Sequence, residues 1–254
     1  MVSLDLCIVS ARRPELLAVT LDSFSQRVFS RLVPERVFVN LDPIFGSEED
    51  HAAVLSIVRK RFPEATIFEP ETPGFGAAVK RLWLATKADY VFHLEDDWVA
   101  LRTLDDEIFL PFNDARVQQT SFHTADQNWD IKQRGHIHHR RIYFKPFGIK
   151  LPLYRTLPKF TTSPSILRGD FARSAAALMI PEHDPEKQFY SSVNMDLERM
   201  AHPFRNYIFS PEGIPVIKDI GREWREAQGI RKVVTNGTSV WSSEGNGPSA
   251  GNNA

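Results

Sequence analysis

The first hundred residues alternate short β-branched or aromatic runs with stretches whose apolar residues recur at helical spacing. That alternation points to a sheet of parallel strands linked by covering helices, because parallel neighbours cannot be joined by a tight turn. Leu4 to Val9 reads as the first strand. After Pro14, the residues Leu17, Leu21, Phe24 and Val28 follow i, i+4, i+7, i+11 spacing, one face of a helix. Arg36 to Leu41 is a second strand, and Ser47 caps a helix that buries Leu55, Val58 and Phe62. Ala65 to Phe68 is a short third strand. Pro73 and Gly74 supply a turn into a helix whose inner face is Phe75, Val79, Leu82, Trp83 and Thr86. Asp89 to Leu94 is a buried fourth strand and Arg116 to His123 a fifth, after which the regularity weakens.

With 254 residues and 42% hydrophobic content the chain can fill one sizeable core. Its single cysteine, Cys7, excludes an intramolecular disulfide framework and a Cys-based zinc cluster, and fits a reducing compartment. No run approaches the roughly 20 apolar residues of a membrane span, and no basic leader precedes the first strand. A soluble, cytoplasmic protein is therefore expected. The last residues, SSEGNGPSAGNNA, lack apolar side chains to offset their ordering entropy. One domain over 1–240 is expected, with 241–254 a disordered tail.

The net charge of −1 conceals an uneven distribution. Between Ile131 and Gly169 lie nine Lys or Arg and three His but no Asp or Glu, which leaves 22 basic against 32 acidic residues elsewhere. Tyr143, Phe144, Phe147, Tyr154 and Phe160 are interleaved with those charges, as are Pro146, Pro152 and Pro158. This composition reads as a loop-rich surface that attracts anions and stacks on rings. His136, His138 and His139 have a zinc-like H-x-H-H spacing, but no further Cys or nearby carboxylate completes a tetrahedral set, and the surrounding arginines repel a cation.

Three consecutive carboxylates, Glu95, Asp96 and Asp97, follow the fourth strand directly. The C-terminal ends of parallel strands are where open α/β sheets bind ligands. Mutual repulsion among the three is costly unless a cation or a set of donors neutralises it. Mg²⁺ or Mn²⁺ would do so with only one or two carboxylates, its shell completed by phosphate oxygens and water.

These residues, with the polar turn Ser10 to Pro14, the strand ending Asn40-Leu41-Asp42 and the glycine turn before the helix bearing Lys80, resemble the nucleotide-sugar-binding half of GT-A glycosyltransferases. The resemblance covers residues 4–100 well and the remainder loosely. It implies a Rossmann-like α/β fold in a single domain, a mixed but mostly parallel sheet flanked by helices, with a donor half (1–100) and an acceptor half (101–240). In that family the strand-end motif, usually D-x-D, holds the metal that bridges the donor diphosphate; here Glu95 stands at its first position. By this resemblance Asp97 is the direct metal ligand, and Glu95 or Asp96 faces the ribose or the sugar. Asp42 would meet the base, Ser10 and Arg12 would line the nucleotide cleft, and Gly74 and Lys80 would approach the donor. A late metal ligand or phosphate-binding residue often returns from a C-terminal turn, a place that Asp219 or Arg222 could fill.

Inverting transfer needs a carboxylate to deprotonate the acceptor hydroxyl. Asp196 is the first candidate and Glu198 the second, in a helix with Val193, Leu197, Met200 and Phe204 on its buried side. The family's acidic pair ahead of an Asp-Leu step is replaced here by Val193 and Asn194. The expected activity is transfer of a sugar from a nucleoside-diphosphate sugar, a UDP-sugar in the first instance, to a hydroxyl. The acceptor could be a glycan, a lipid-linked saccharide or a modified base in DNA, an anionic or aromatic acceptor suiting the basic stretch. Two other readings are nucleotidyl transfer, although Ser10 to Pro14 contains no glycine to grip a phosphate, and a non-catalytic relative that binds nucleic acid or glycan through residues 131–169.

Overall fold

A computed structural model of the chain describes residues 2–126, 129–144, 146–148, 151–235 and 238–243. The first half follows the expected alternation: β1 (Leu4–Ala11), α1 (Pro14–Phe24), β2 (Arg36–Asp42), α2 (Glu48–Arg61), β3 (Thr66–Phe68), α3 (Phe75–Ala85) and β4 (Tyr90–Glu95). Then come β5 (Trp98–Ala100), β6 (Val117–Phe122), α4 (Ile131–Arg134), β7 (Ile137–Tyr143), β8 (Tyr154–Pro158), β9 (Ser165–Arg168) and α5 (Gly169–Leu178). The described chain continues through α6 (Met195–Ala201), β10 (Arg205–Phe209), β11 (Ile217–Asp219), α7 (Gly221–Ala227), β12 (Ile230–Thr235) and β13 (Thr238–Ser243).

Nine strands form one sheet in the order β3-β2-β1-β4-β9-β6-β10-β7-β8. Seven share a direction; β9 and β7 run against their neighbours. This is the mixed, mostly parallel sheet expected. Every residue of β1 is buried, and its alternation feeds two cores. Leu4, Leu6 and Ile8 join Leu17, Leu21, Phe24 and Phe92 on one face. Cys7 and Val9 join Val79, Leu82, Trp83 and Phe171 on the other. Ser47 caps α2 through a reciprocal box with Asp50, as anticipated, and the helix buries Val54 and Val58 while Leu55 and Phe62 pack partly buried. Val28 reaches the core because α1 continues into a π-helical turn, Ser25–Phe29.

The second half departs from its expected looseness. The basic stretch is not loop-rich throughout: β7 and β8 form an antiparallel hairpin on the edge of the sheet, registered from His139–Pro158 to Tyr143–Tyr154. Its residues are mostly half-exposed or exposed, so backbone pairing and not an apolar stripe holds it, and no alternation betrays it. Lys145 and Lys150 of that stretch lie outside the described residues. Strand β9 inserts antiparallel between β4 and β6, a placement that four residues cannot announce by pattern. Trp241 to Ser243 belong to β13, which pairs with β12; the rest of the expected tail lies outside the described residues. No helix among the described residues is long and apolar enough to cross a membrane.

One buried charge locks the first half. Asp5 on β1 accepts from Arg36 Nε at 2.7 Å and Nη2 at 3.2 Å. It also accepts the backbone N–H groups of Lys87 at 2.7 Å and Ala88 at 2.9 Å, tying β2 and the α3–β4 turn to the central strand. Asp5→Leu would deprive the half-exposed Arg36 guanidinium and the Lys87 and Ala88 amides of their acceptor, so a loss of about 2 kcal/mol or more is expected in urea denaturation. A variant as stable as the parent contradicts that role.

Candidate functional site

The C-terminal ends of β1, β2 and β4 open onto a cleft of about 630 Å³. The turn after β4 forms its acidic wall. Thr20 of α1 fixes that turn, donating from its hydroxyl to the Asp96 carbonyl at 2.8 Å and accepting the Trp98 N–H at 3.1 Å. Antiparallel pairing of β5 with β11 sets Asp219 opposite Trp98 and so beside the cluster.

Asp96 and Asp97 are 1% and 5% exposed, and the charge that answers them is Arg13, itself only 7% exposed. Arg13 pairs with Asp96 and reaches Asp97 Oδ2 at 3.3 Å. Asp96 Oδ2 also accepts from the Ser10 hydroxyl at 3.1 Å and the Ala11 N–H at 2.8 Å. Arg225 of α7 closes the network, its Nη1 3.1 Å from Asp97 Oδ2 and its Nη2 3.6 Å from Asp219 Oδ2. Burial alone would lower the Arg13 guanidinium, but Asp96 and Asp97 outweigh it and hold the group charged. Burial pushes the Asp97 carboxyl up against the opposing pull of Arg13, and burial with the Asp97 charge does the same to Asp219. Phe45 and Trp224 cover Arg13, each ring centroid 5.4 Å from its guanidinium carbon. Gly221 is obligatory here: a β-carbon would overlap the Asp97 carboxylate.

Several expected residues meet in this cleft. Ser10, Asp42, Gly74, Glu95, Asp96 and Asp97 all line it. Asp42 is held by Asn40 Nδ2 at 2.7 Å and the Gly74 N–H at 3.1 Å, and burial raises its carboxyl. Glu95 accepts from Trp98 Nε1 at 3.2 Å. Asp219 stands at the edge, its Oδ1 bound by the Gly221 and Arg222 amides at 2.8 and 3.1 Å.

Other expected residues lie elsewhere. Arg12 pairs with Glu48 at 2.6 Å outside the cleft, and its neighbour Arg13 takes the inward place, because one residue's step at the strand end reverses the side chain. Lys80 donates to the Met179 carbonyl at 2.7 Å, tying α3 to the end of α5. Arg222 is exposed on α7 and is absent from the cleft wall, where Arg225, one turn on, stands instead. Asp196 is exposed and pairs with Arg199 at 2.9 Å, while Glu198 bonds Arg140 at 3.4 Å and the Ser192 N–H at 3.0 Å. Neither carboxylate lines the cleft, since Leu197 occupies the inward face of α6.

Two further acidic residues, Asp184 and Glu186, line the same cleft. Asp184 Oδ1 accepts the N–H groups of Glu186 and Lys187, both at 3.1 Å, and so shapes the loop. Glu186 accepts from the Thr161 hydroxyl at 3.0 Å and from the Tyr190 hydroxyl. This loop reaches the donor side because Gly76 lets α3 press against the Pro181 and His183 carbonyls, which a β-carbon would strike. Its only signal in the sequence is the acidic run Glu182-His183-Asp184-Pro185-Glu186.

Among the described residues no three His, Cys, Asp or Glu side chains are arranged to hold a metal ion. Two carboxylates do converge, however: Asp97 and Asp219 share the Arg225 guanidinium. Hard oxygen ligands aimed at one cationic position suit Mg²⁺ or Mn²⁺, which need few protein ligands beside a diphosphate. The pair fits such an ion in exchange for Arg225.

This fold is shared with solved structures. The chain is similar to S. aureus TarS at 11% identity over 89% of this chain and 38% of that one, with a TM-score of 0.54. It is similar to TarS 1-349 in complex with UDP at 10% identity over 85% and 60%, TM-score 0.53. The mannosyltransferase PcManGT from Pyrobaculum calidifontis, in complex with GDP-Man and Mn²⁺, matches at 11% identity over 84% and 57%, TM-score 0.53. The fold is thus the GT-A fold that the sequence resemblance implied. The chain spans only about two fifths to three fifths of the length of these structures. No protein-family model and no curated protein sequence matches it.

Replacing Arg13 by Met takes the paired cation from buried Asp96 and leaves Asp97 with Arg225. A loss of about 3 kcal/mol at neutral pH is expected. The Asp97 carboxyl, already raised by burial, would rise further, so protonation relieves the cost. Stability of the variant, followed by urea denaturation, should therefore recover as pH falls from about 8 to about 5, more than in the parent. Parallel pH profiles contradict the pairing.

Proposed function

We propose that the chain is a glycosyltransferase that binds a nucleoside-diphosphate sugar in the main cleft and transfers the sugar, with inversion, to an acceptor hydroxyl. The observation that carries this reading is the buried Asp96–Asp97 pair, neutralised by Arg13 and Arg225, at the strand-end wall of a 630 Å³ cleft. The neighbouring structures with UDP and with GDP-Man and Mn²⁺ support a donor of this class. The donor half would be residues 1–100 and the acceptor half 101–240.

In this reading Asp42, at the end of β2, receives the base, and Ser10 and Gly74 border the nucleotide. Arg13 pairs with Asp96 and Asp97 and orients them. Asp97 and Asp219 would hold Mg²⁺ or Mn²⁺, which when bound supplies charge neutralisation to the departing diphosphate. Glu186 replaces Asp196 as the proposed base. It lines the same cleft as the cluster, and its two oxygens are fixed by Thr161 and Tyr190, so it can take the acceptor proton from a set position.

Titration calorimetry with UDP- and GDP-sugars, with and without Mn²⁺, tests the donor. At least one is expected to bind, with affinity falling about tenfold or more in Asp97→Ala; binding by none of them overturns the reading. Glu186→Gln should retain donor binding while transfer falls roughly 100-fold or more. Full transfer by that variant removes Glu186 from the role.

A further inference from the structure

A second cleft, of about 410 Å³, lies beside the first, and five of its seven lining residues come from the basic stretch. Arg134, Arg140 and Lys159 line it with Trp129, Tyr190 and two histidines. The cations are seated on rings: Arg134 lies 5.1 Å from the Trp129 centroid, Arg140 5.2 Å and Lys159 5.7 Å from that of Tyr190. A guanidinium stacked on an aromatic face keeps its N–H edge directed outward, where it can grip an oxyanion in two places.

Acidic side chains only partly offset this charge. Glu198 is 3.4 Å from Arg140 and Glu186 is 4.0 Å from Lys159. Arg134 has no carboxylate within ion-pair distance among the described residues, and Arg140 Nε is buried with no hydrogen-bond partner among them. Burial, with Lys159 and His139 nearby, brings His138 down to about 3, so it stays a neutral wall.

The two clefts meet around Glu186, which Lys159 and Tyr190 of the second cleft both approach. Tyr190 walls the second cleft and its hydroxyl donates to Glu186, which lines the first. Lys187, whose Nζ lies 5.4 Å from the Tyr190 centroid, also faces the first cleft. A molecule held by its anion in the second cleft would therefore present its neighbouring atoms towards Glu186.

We infer that the second cleft is the acceptor subsite and that it selects a hydroxyl-bearing acceptor with a fixed oxyanion, a phosphate ester or a carboxylate. The anion-binding part stands on the cleft itself; its service as acceptor subsite rests on the glycosyltransferase reading. Charge-assisted hydrogen bonds from two or three cations supply the affinity, and the Tyr190–Glu186 contact carries the hydroxyl to the base.

Inorganic phosphate and acetate are the probes, titrated by calorimetry into the full chain with the donor cleft saturated by whichever nucleotide sugar binds. The Arg134→Gln, Lys159→Gln double variant is expected to weaken binding of one or both anions about tenfold or more. The Lys132→Gln control, an exposed charge removed from α4 outside the cleft, should leave it within about twofold, and unchanged melting temperatures verify the folds. Phosphate lost and acetate silent identifies a phosphate ester; the reverse identifies a carboxylate. Equal anion binding by parent and double variant overturns the subsite. So does a short single-stranded oligonucleotide that binds the parent far more tightly than phosphate and is lost in the double variant, which reassigns the cleft to nucleic acid. If no nucleotide sugar binds but the double variant still loses anion affinity in the nucleotide-free chain, the glycosyltransferase reading fails and the anion subsite stands.

Discussion

The buried pairing of Arg13 with Asp96 and Asp97 is the interaction on which the rest of the molecule turns. Carboxylates at 1% and 5% exposure cannot remain ionised at a strand end without a cation of comparable burial. Arg13 supplies it from the residue just before α1, and that helix returns the support through Thr20, which fixes the backbone of the same turn. The first crossover of the fold thereby builds the acidic wall of the cleft. Phe45 and Trp224 keep water from Arg13, so α7 near the C-terminus joins an arrangement begun by β1.

Bringing the second half of the chain to this wall requires close backbone approaches. Gly76 admits the carbonyls of residues 181 and 183, and Gly221 admits the Asp97 carboxylate. β9, inserted antiparallel between β4 and β6, continues directly into α5, which packs on α3. The loop after α5 then lines the same cleft with Asp184, Glu186 and Lys187. The acidic wall and this loop thus come from opposite halves of the chain.

The legible part of the chain is the part with strong local periodicity. The first four strands, the α2 cap and the inner faces of α1 and α3 could be read because each buried side chain repeats at the period of its element. Strand-end position brought out the carboxylate triplet, and the family resemblance added Ser10, Asp42 and Gly74. Arg13 was indistinguishable from Arg12 by type or neighbourhood; only the direction of one side chain at the end of β1 separates a buried ion pair from a surface pair with Glu48. Asp196 and Glu198 had the right chemistry beside a buried helical face, yet Leu197 takes the inward direction and leaves Asp196 in solvent. The β7–β8 hairpin gave no warning, because an edge hairpin held by backbone pairing needs no apolar alternation.

Composition and period alone determined an α/β sheet with a charged strand end, and a separate basic, aromatic stretch, because burial and charge compensation act on any chain that carries such patterns. Which cation answers the carboxylates, which other acids line their cleft, and how the basic stretch becomes a cleft were decided by tertiary contacts. Those contacts join residues as far apart as Asp97 and Arg225 or Lys159 and Tyr190. Electrostatic pairing in a buried site depends on distance and direction in space, and neither is encoded by spacing along the chain.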